Sequence, residues 1–299
     1  MQTKIELAKP RDFGEIISDT FAFIRQNFKP LIKYFFIFCG IFLLAMAAIN
    51  IMLQVRVFDV VTNANTGNFG ATGPFDNLFS LLPEYLLLIV IIILLSTSIT
   101  VTVLCFAALY KEKQNNVPTT EEMWGYIKYY FLRVLGASIV TGLLVGVGMV
   151  FCFIPGIYLY PIMALVPSIM VIENASFGYA FGQSFRLIRD NWWLTFGALI
   201  VVFLILYVAN LVVAVPSTIL GAGSVFLHLF KGTSAVSVPI AIITTIIQSF
   251  AYIFQILMVV AANLCYFNLA ETKEGTSLLG RIDQFGTQQA AQDQAPEEY

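Results

Sequence analysis

The sequence predicts an all-α integral membrane protein: six transmembrane helices in three parallel units, each an amphipathic interfacial helix plus a transmembrane hairpin, with both termini cytoplasmic. Composition is the first reason. The 299 residues are 59% hydrophobic and 11% charged, too apolar for a soluble domain of ordinary make-up. The apolar residues also collect in long runs, over 31–53, 85–110, 134–153, 156–172, 194–216 and 239–268. Crossing about 30 Å of hydrocarbon takes roughly 20 residues; the fourth run is short for this and the sixth is long.

Charge placement is the third reason. Lys4, Lys9, Arg11, Arg25, Lys29 and Lys33 precede the first run, and Lys111, Lys113, Lys128 and Arg133 follow the second. Arg186 and Arg189 follow the fourth run, and Lys273 and Arg281 the sixth, leaving only Arg56 and Lys231 of the 16 Lys and Arg for the other side. The positive-inside rule therefore puts both ends in the cytoplasm, and an odd number of spans would break the alternation. A single membrane domain over 1–284 is expected, with a disordered, Gln/Ala-rich cytoplasmic tail over 285–299. The first 30 residues lack the short apolar core of a cleavable signal, so the first span is expected to stay as an anchor.

The first unit opens with an interfacial helix over 13–28. Phe13, Ile16, Ile17, Thr20, Phe21, Ile24 and Phe28 share one helical face, opposite Glu15, Asp19, Arg25 and Gln26. Asp12 with Glu15 three positions on is a capping-box pattern. The loop near 54–83 is rich in Asn and Gly and reads as a connector. The middle unit starts at Thr119, with Glu122 completing a second capping box and an interfacial helix over 120–131. Its first span carries Gly142 and Gly146, a GxxxG spacing that allows close backbone approach; packing inside the bundle is the expectation, a dimer contact the alternative. Pro155, Pro161 and Pro167 interrupt or kink the fourth span, and Gly156 follows the first of them in a Pro-Gly turn. The third unit has an interfacial helix over 177–190, where Phe13, Gly14, Phe21, Ile24, Arg25 and Asn27 recur at a constant offset of 164 as Phe177, Gly178, Phe185, Ile188, Arg189 and Asn191.

The segment Phe153, Ile154, Pro155, Gly156, then Pro161, Pro167, Glu173, Ala180, Ser184, Leu187 and Arg189, closing on Asn191, Trp192 and Trp193, carries a family resemblance. It resembles the bacterial membrane domain attached to some glycerophosphoryl diester phosphodiesterases and found in related stand-alone six-span proteins. That resemblance spans about 40 residues and implies a fold and a location in the bacterial cytoplasmic (inner) membrane. It transfers no active site, because catalysis in those enzymes belongs to a soluble domain for which there is no room here.

Polar residues inside the runs are the remaining candidates. Gln248, Gln255 and Asn263 lie on the sixth run and Asn210 on the fifth; they read as a polar path or as interhelical hydrogen-bonding groups worth about 1 kcal/mol each. Glu173, with Arg186 and Arg189 after it, reads as a lipid-contacting cluster or as charges pairing at the cytoplasmic interface. No Asp, Glu, Lys, Arg or His sits near the middle of any run, which argues against an ion-coupled pump. The sole histidine, His228, lies in the last outer loop, so no multi-histidine metal centre or His-activated nucleophile is available in the membrane. Cys39, Cys105, Cys152 and Cys265 read as small packing residues. The expectation is a non-enzymatic scaffold or assembly component acting through protein or lipid binding, with no cofactor and no nucleic acid. Its partners would be the lipid bilayer and other membrane proteins. The alternative is a passive transporter or channel for a small or lipid-like solute.

Overall fold

A computed structural model describes residues 5–65, 79–114, 116–151, 153–231 and 237–274. Among these residues every regular element is helical: α1 (Phe13–Gln26), α2 (Phe28–Asn65), α3 (Leu82–Glu112), α4 (Thr120–Phe151), α5 (Phe153–Ile172), α6 (Phe177–Ile188), α7 (Trp192–Lys231), α8 (Ser237–Ala251), a 3-10 turn (Tyr252–Phe254) and α9 (Gln255–Glu274). Six stretches are long and apolar enough to cross a membrane: Phe28–Val57, Leu82–Glu112, Thr120–Phe151, Phe153–Ile172, Trp192–Gly223 and Pro239–Lys273. The expected tail over 285–299 lies outside the described residues.

Consecutive spans pair as hairpins, α2 with α3, α4 with α5, and α7 with α8. The last helix, α9, ties them together by packing on α1, α3, α5, α6 and α7. Its residues are buried almost without interruption, including Ile256, Val260, Leu264, Cys265, Phe267 and Leu269. The buried stretch of α3 begins at Leu95 and runs to Tyr110, while that of α5 runs from Pro161 to Val171. The core therefore gathers at the end of the bundle where the connections α1, 113–119, 173–176 and 189–191 lie; we call this end the base. In the other half Leu86, Leu87, Val90, Phe153, Ile154, Ile243 and Ile246 are exposed. Such side chains are at home against lipid, where every backbone polar group is satisfied within its own helix.

The base is closed by polar side chains with short reach. Arg11 has a fully buried side chain: its Nε donates to Asp19 Oδ2 at 2.8 Å and its Nη1 to the carbonyl of Leu7 at 2.8 Å. The Arg11 backbone N–H donates to Asn268 Oδ1 at 2.7 Å, joining the N-terminal segment to α9. The Asp12 and Glu15 box is formed in both directions, at 2.7 and 3.2 Å. Thr119 and Glu122 do the same for α4, with Lys113 Nζ 2.6 Å from Glu122 Oε1. Ser176 caps α6 by position, without a side-chain bond.

Several elements differ from the sequence expectation. The interfacial segment 120–131 is the first part of α4 and runs straight into the third span, since nothing between Thr120 and Phe151 breaks the helix. Most of the described part of the first outer loop is helix, because α2 continues to Asn65 and Arg56 pairs with Glu84 at 3.2 Å. The fifth span likewise continues as α7 to Lys231, so the backbone at His228 is helical. Pro161 and Pro167 sit inside an unbroken α5, the interruption falling in the sixth span instead. Gly142 and Gly146 are exposed, with no atom within 4 Å of a Cβ added at either. The close approach is made by Gly148 and Gly156: a Cβ on Gly156 would lie 2.7 Å from the Met149 nitrogen. The expectation that the third span is central is corrected accordingly, since 17% of its apolar window is buried against 56% for the fourth. Cys39, Cys105 and Cys265 are buried and free.

Candidate functional site

The sixth span changes character at Tyr252–Phe254, where one 3-10 turn separates α8 from α9. A mid-helix 3-10 turn tightens the chain and commonly marks a functional position. Beside it lies a cavity of about 550 Å³, in the size range of small-molecule sites. Its walls come from α2 (Met46, Asn50), α7 (Phe203, Leu206, Tyr207, Asn210) and the α8 to α9 junction (Thr245, Gln248, Ser249, Ala251, Tyr252, Phe254, Gln255, Met258).

Three of the polar residues singled out from sequence meet here. Gln255 Nε2 donates to Ser96 Oγ on α3, and Gln248 Nε2 donates to Ser217 Oγ on α7 at 3.4 Å. Asn210 donates to the carbonyl of Leu206 one turn back on its own helix, at 2.8 Å. Just beyond the cavity, Gln54 of α2 donates to Thr245 Oγ1 and accepts from Thr244 Oγ1, each at 3.0 Å. The sixth span is thus bonded to α2, α3 and α7 by neutral amide and hydroxyl groups, and the helix break holds them around one space. Among the described residues, every one that lines the cavity is uncharged.

The other candidates lie elsewhere. Asn263 is buried in the base, with Oδ1 lacking a protein partner. Glu173 accepts from the Tyr266 hydroxyl at 2.9 Å. Arg186 and Arg189 are exposed at the base, where the Arg186 carbonyl accepts from Lys273 Nζ at 2.7 Å. The same ammonium sits 2.7 Å from Asp190 and holds that carboxyl below the usual range. At Asp19 burial pushes the carboxyl up, but hydrogen bonds from Arg11 and Lys9 outweigh it and leave the group below its ordinary value. These charges lie at the base, and Asn263, Glu173, Arg186 and Arg189 do not line the cavity.

Sequence reasoning missed Asn50, Gln54, Thr245, Ser249 and the tyrosines of the cavity wall. A signal existed in Asn50 and Gln54, polar residues one helical turn apart at the end of an apolar run. Two smaller spaces lie elsewhere in the bundle, one of them beside the site. One of about 190 Å³ shares Gln255 and Met258 and reaches Tyr160, Pro167 and Ser168. The other, of about 460 Å³, lies at the base between Lys111, Glu112, Tyr126, Tyr130 and Asn174.

Fold and cavity together define a helical protein of membrane-spanning character with an uncharged cavity at a break in its last span. Comparison with family models, with curated proteins and with solved structures finds no match to this chain.

Proposed function

We propose that this chain is a non-enzymatic component of the bacterial cytoplasmic membrane that works by binding a membrane lipid, as a scaffold or assembly subunit for other membrane proteins. The observation that carries the reading is the cavity's mixed lining: amides and hydroxyls on one side, with Met46, Phe203, Leu206 and Met258 on the other. Such a surface suits an amphiphile better than a freely soluble polar molecule. Asn210, Gln248, Phe203 and Tyr207 are exposed, consistent with entry from the lipid phase.

The proposed topology is three parallel units with both termini cytoplasmic. Charge alternation supports it, as does the register of buried positions. Ile16, Thr20 and Phe23 of α1, Met123, Ile127 and Tyr130 of α4, and Ala180, Ser184 and Leu187 of α6 are buried at the same spacing from their caps. The resemblance to the phosphodiesterase membrane domain supports the same arrangement.

Mild-detergent purification from native membrane, followed by lipid and protein mass spectrometry, tests the function. The expected result is one lipid class enriched over the bulk membrane by wild type and lost from a combined Asn210→Leu and Gln248→Leu variant that keeps its melting temperature. Bulk composition in both proteins would remove the reading. The second reading, passive passage of a solute, draws on the polar residues that continue along the sixth span as Thr244, Gln248, Gln255, Asn263 and Asn268. On that reading reconstituted vesicles leak the solute, and Gln248→Leu with Gln255→Leu abolishes the leak.

A further inference from the structure

The position and chemistry of the cavity narrow the lipid. Gln255 lies 16 residues from Pro239 and 18 from Lys273, the ends of the sixth span. At 1.5 Å per residue that is roughly 24–27 Å along the helix to either end, so the cavity lies beside the middle of the sixth span, with Met46 and Asn50 reaching it from the second half of the α2 span. A phosphate or ammonium head would have to shed its hydration and enter a space whose described walls carry no countercharge, at a desolvation cost of several kcal/mol. The nearest candidate cation on α2 is Arg56, six residues beyond Asn50 and already paired with Glu84 at 3.2 Å. A hydroxyl head meets neither obstacle, since Asn50, Asn210, Gln248 and Gln255 offer both donors and acceptors to it.

A second space shares one wall residue with the first. Ser249 borders both the cavity and an apolar groove of about 670 Å³ between α2 and α8, lined by Phe35, Phe36, Leu44, Phe250 and Ile253 among others. We propose that the cavity takes the uncharged, hydroxyl-bearing head of a membrane lipid and that the groove takes its acyl chains. The inference rests on the cavity being a lipid site, and it adds that the head carries no charge. A diacylglycerol hydroxyl and the sugar of a neutral glycolipid share this chemistry.

The test uses the full chain in phosphatidylcholine nanodiscs with a diacylglycerol probe bearing a photoreactive diazirine on one acyl chain. Labelled peptides are mapped, and unlabelled dioleoylglycerol, monogalactosyl dioleoylglycerol and dioleoyl phosphatidic acid compete. Saturable labelling is expected within 35–47 and 246–254, lowered about tenfold by excess of one or both neutral competitors and less than about twofold by phosphatidic acid. The stronger neutral competitor identifies whether the glycerol hydroxyl or the sugar is the preferred head. Gln248→Leu is expected to weaken saturable labelling about tenfold, in line with losing one hydrogen-bonding partner; the wild-type competition decides the matter should that variant not fold. Equal or better competition by phosphatidic acid overturns the uncharged-head inference while sustaining a lipid site. Unsaturable labelling spread over all exposed helix faces overturns both.

Discussion

The two halves of the bundle solve the membrane problem differently. The base holds the buried runs of α3, α5 and α9 together with the ionic contacts of Arg11, Lys113 and Lys273. The opposite half has exposed apolar helices, neutral hydrogen bonds and the larger of the two spaces that share Gln255. Inside lipid, apolar side chains gain little by leaving one hydrocarbon surface for another, so helices stay together where small residues, polar pairs or caps hold them. The base has caps and ionic contacts in number, whereas the other half has the Gly148 and Gly156 contact, the Arg56 and Glu84 pair and a few amides, and leaves room between helices. Rigidity and binding are thereby separated along the bundle.

Breaking the base should cost the most. Arg11→Ala leaves the Asp19 carboxylate with Lys9 alone at 3.1 Å and strips the bonded carbonyls of Leu7 and Lys9. Removing one partner of a buried ionic network costs about 3–5 kcal/mol, to be read as unfolding free energy in mixed detergent. Gly156→Ala comes next. Its Cβ would meet the Met149 backbone at 2.7 Å, and overpacking of this kind costs about 1–3 kcal/mol. Gly146→Ala, with open space around it, should instead be neutral or gain up to about 1 kcal/mol from helix propensity. Equal losses at both glycines would show that the exposed GxxxG packs against another chain. Gln255→Leu, at the boundary of the halves, loses its bond to Ser96 and should cost about 0.6–2 kcal/mol.

Acid sharpens the contrast. Asp19 titrates below its ordinary value near 3.8, so it stabilises the fold above that pH and the contribution is lost as pH falls through the lowered value. The melting temperature should therefore drop as pH falls below about 3.8, by about a few degrees, and Asp19→Asn should flatten that part of the profile. The cavity itself, with no carboxylate among its described lining residues, contributes nothing to the drop. A lipid-binding profile that tracks the melting curve at sub-melting temperatures would contradict that division.

Much of the frame was legible because its causes are local. Apolar runs of the right length, Asp12 with Glu15 and Thr119 with Glu122 specify helices and their starts through neighbours three or four residues away. What escaped depends on which side of a helix faces inward. Gly142 and Gly146 share a face, yet spacing alone does not say that Gly148 and Gly156 are the pair that meets. Gln248 and Gln255 were evident as polar residues on one face of the sixth span; the 3-10 turn between them, and Asn50 arriving from α2, follow from tertiary packing. Glu173, Arg186 and Arg189 are near one another in sequence, and proximity at the interface suggested a site, but they lie at the base and do not line the cavity.

The bond from the Arg11 backbone to Asn268 spans 257 residues of chain. During synthesis at about 5–20 residues per second, roughly 13–50 s separate the emergence of these two partners. For that interval α1 has its own cap but not the surface of α9 on which it finally rests. The amphipathic helix waits while the spans are laid down one after another, and α9, the last of the described helices to arrive, both completes the core and locks the first in place.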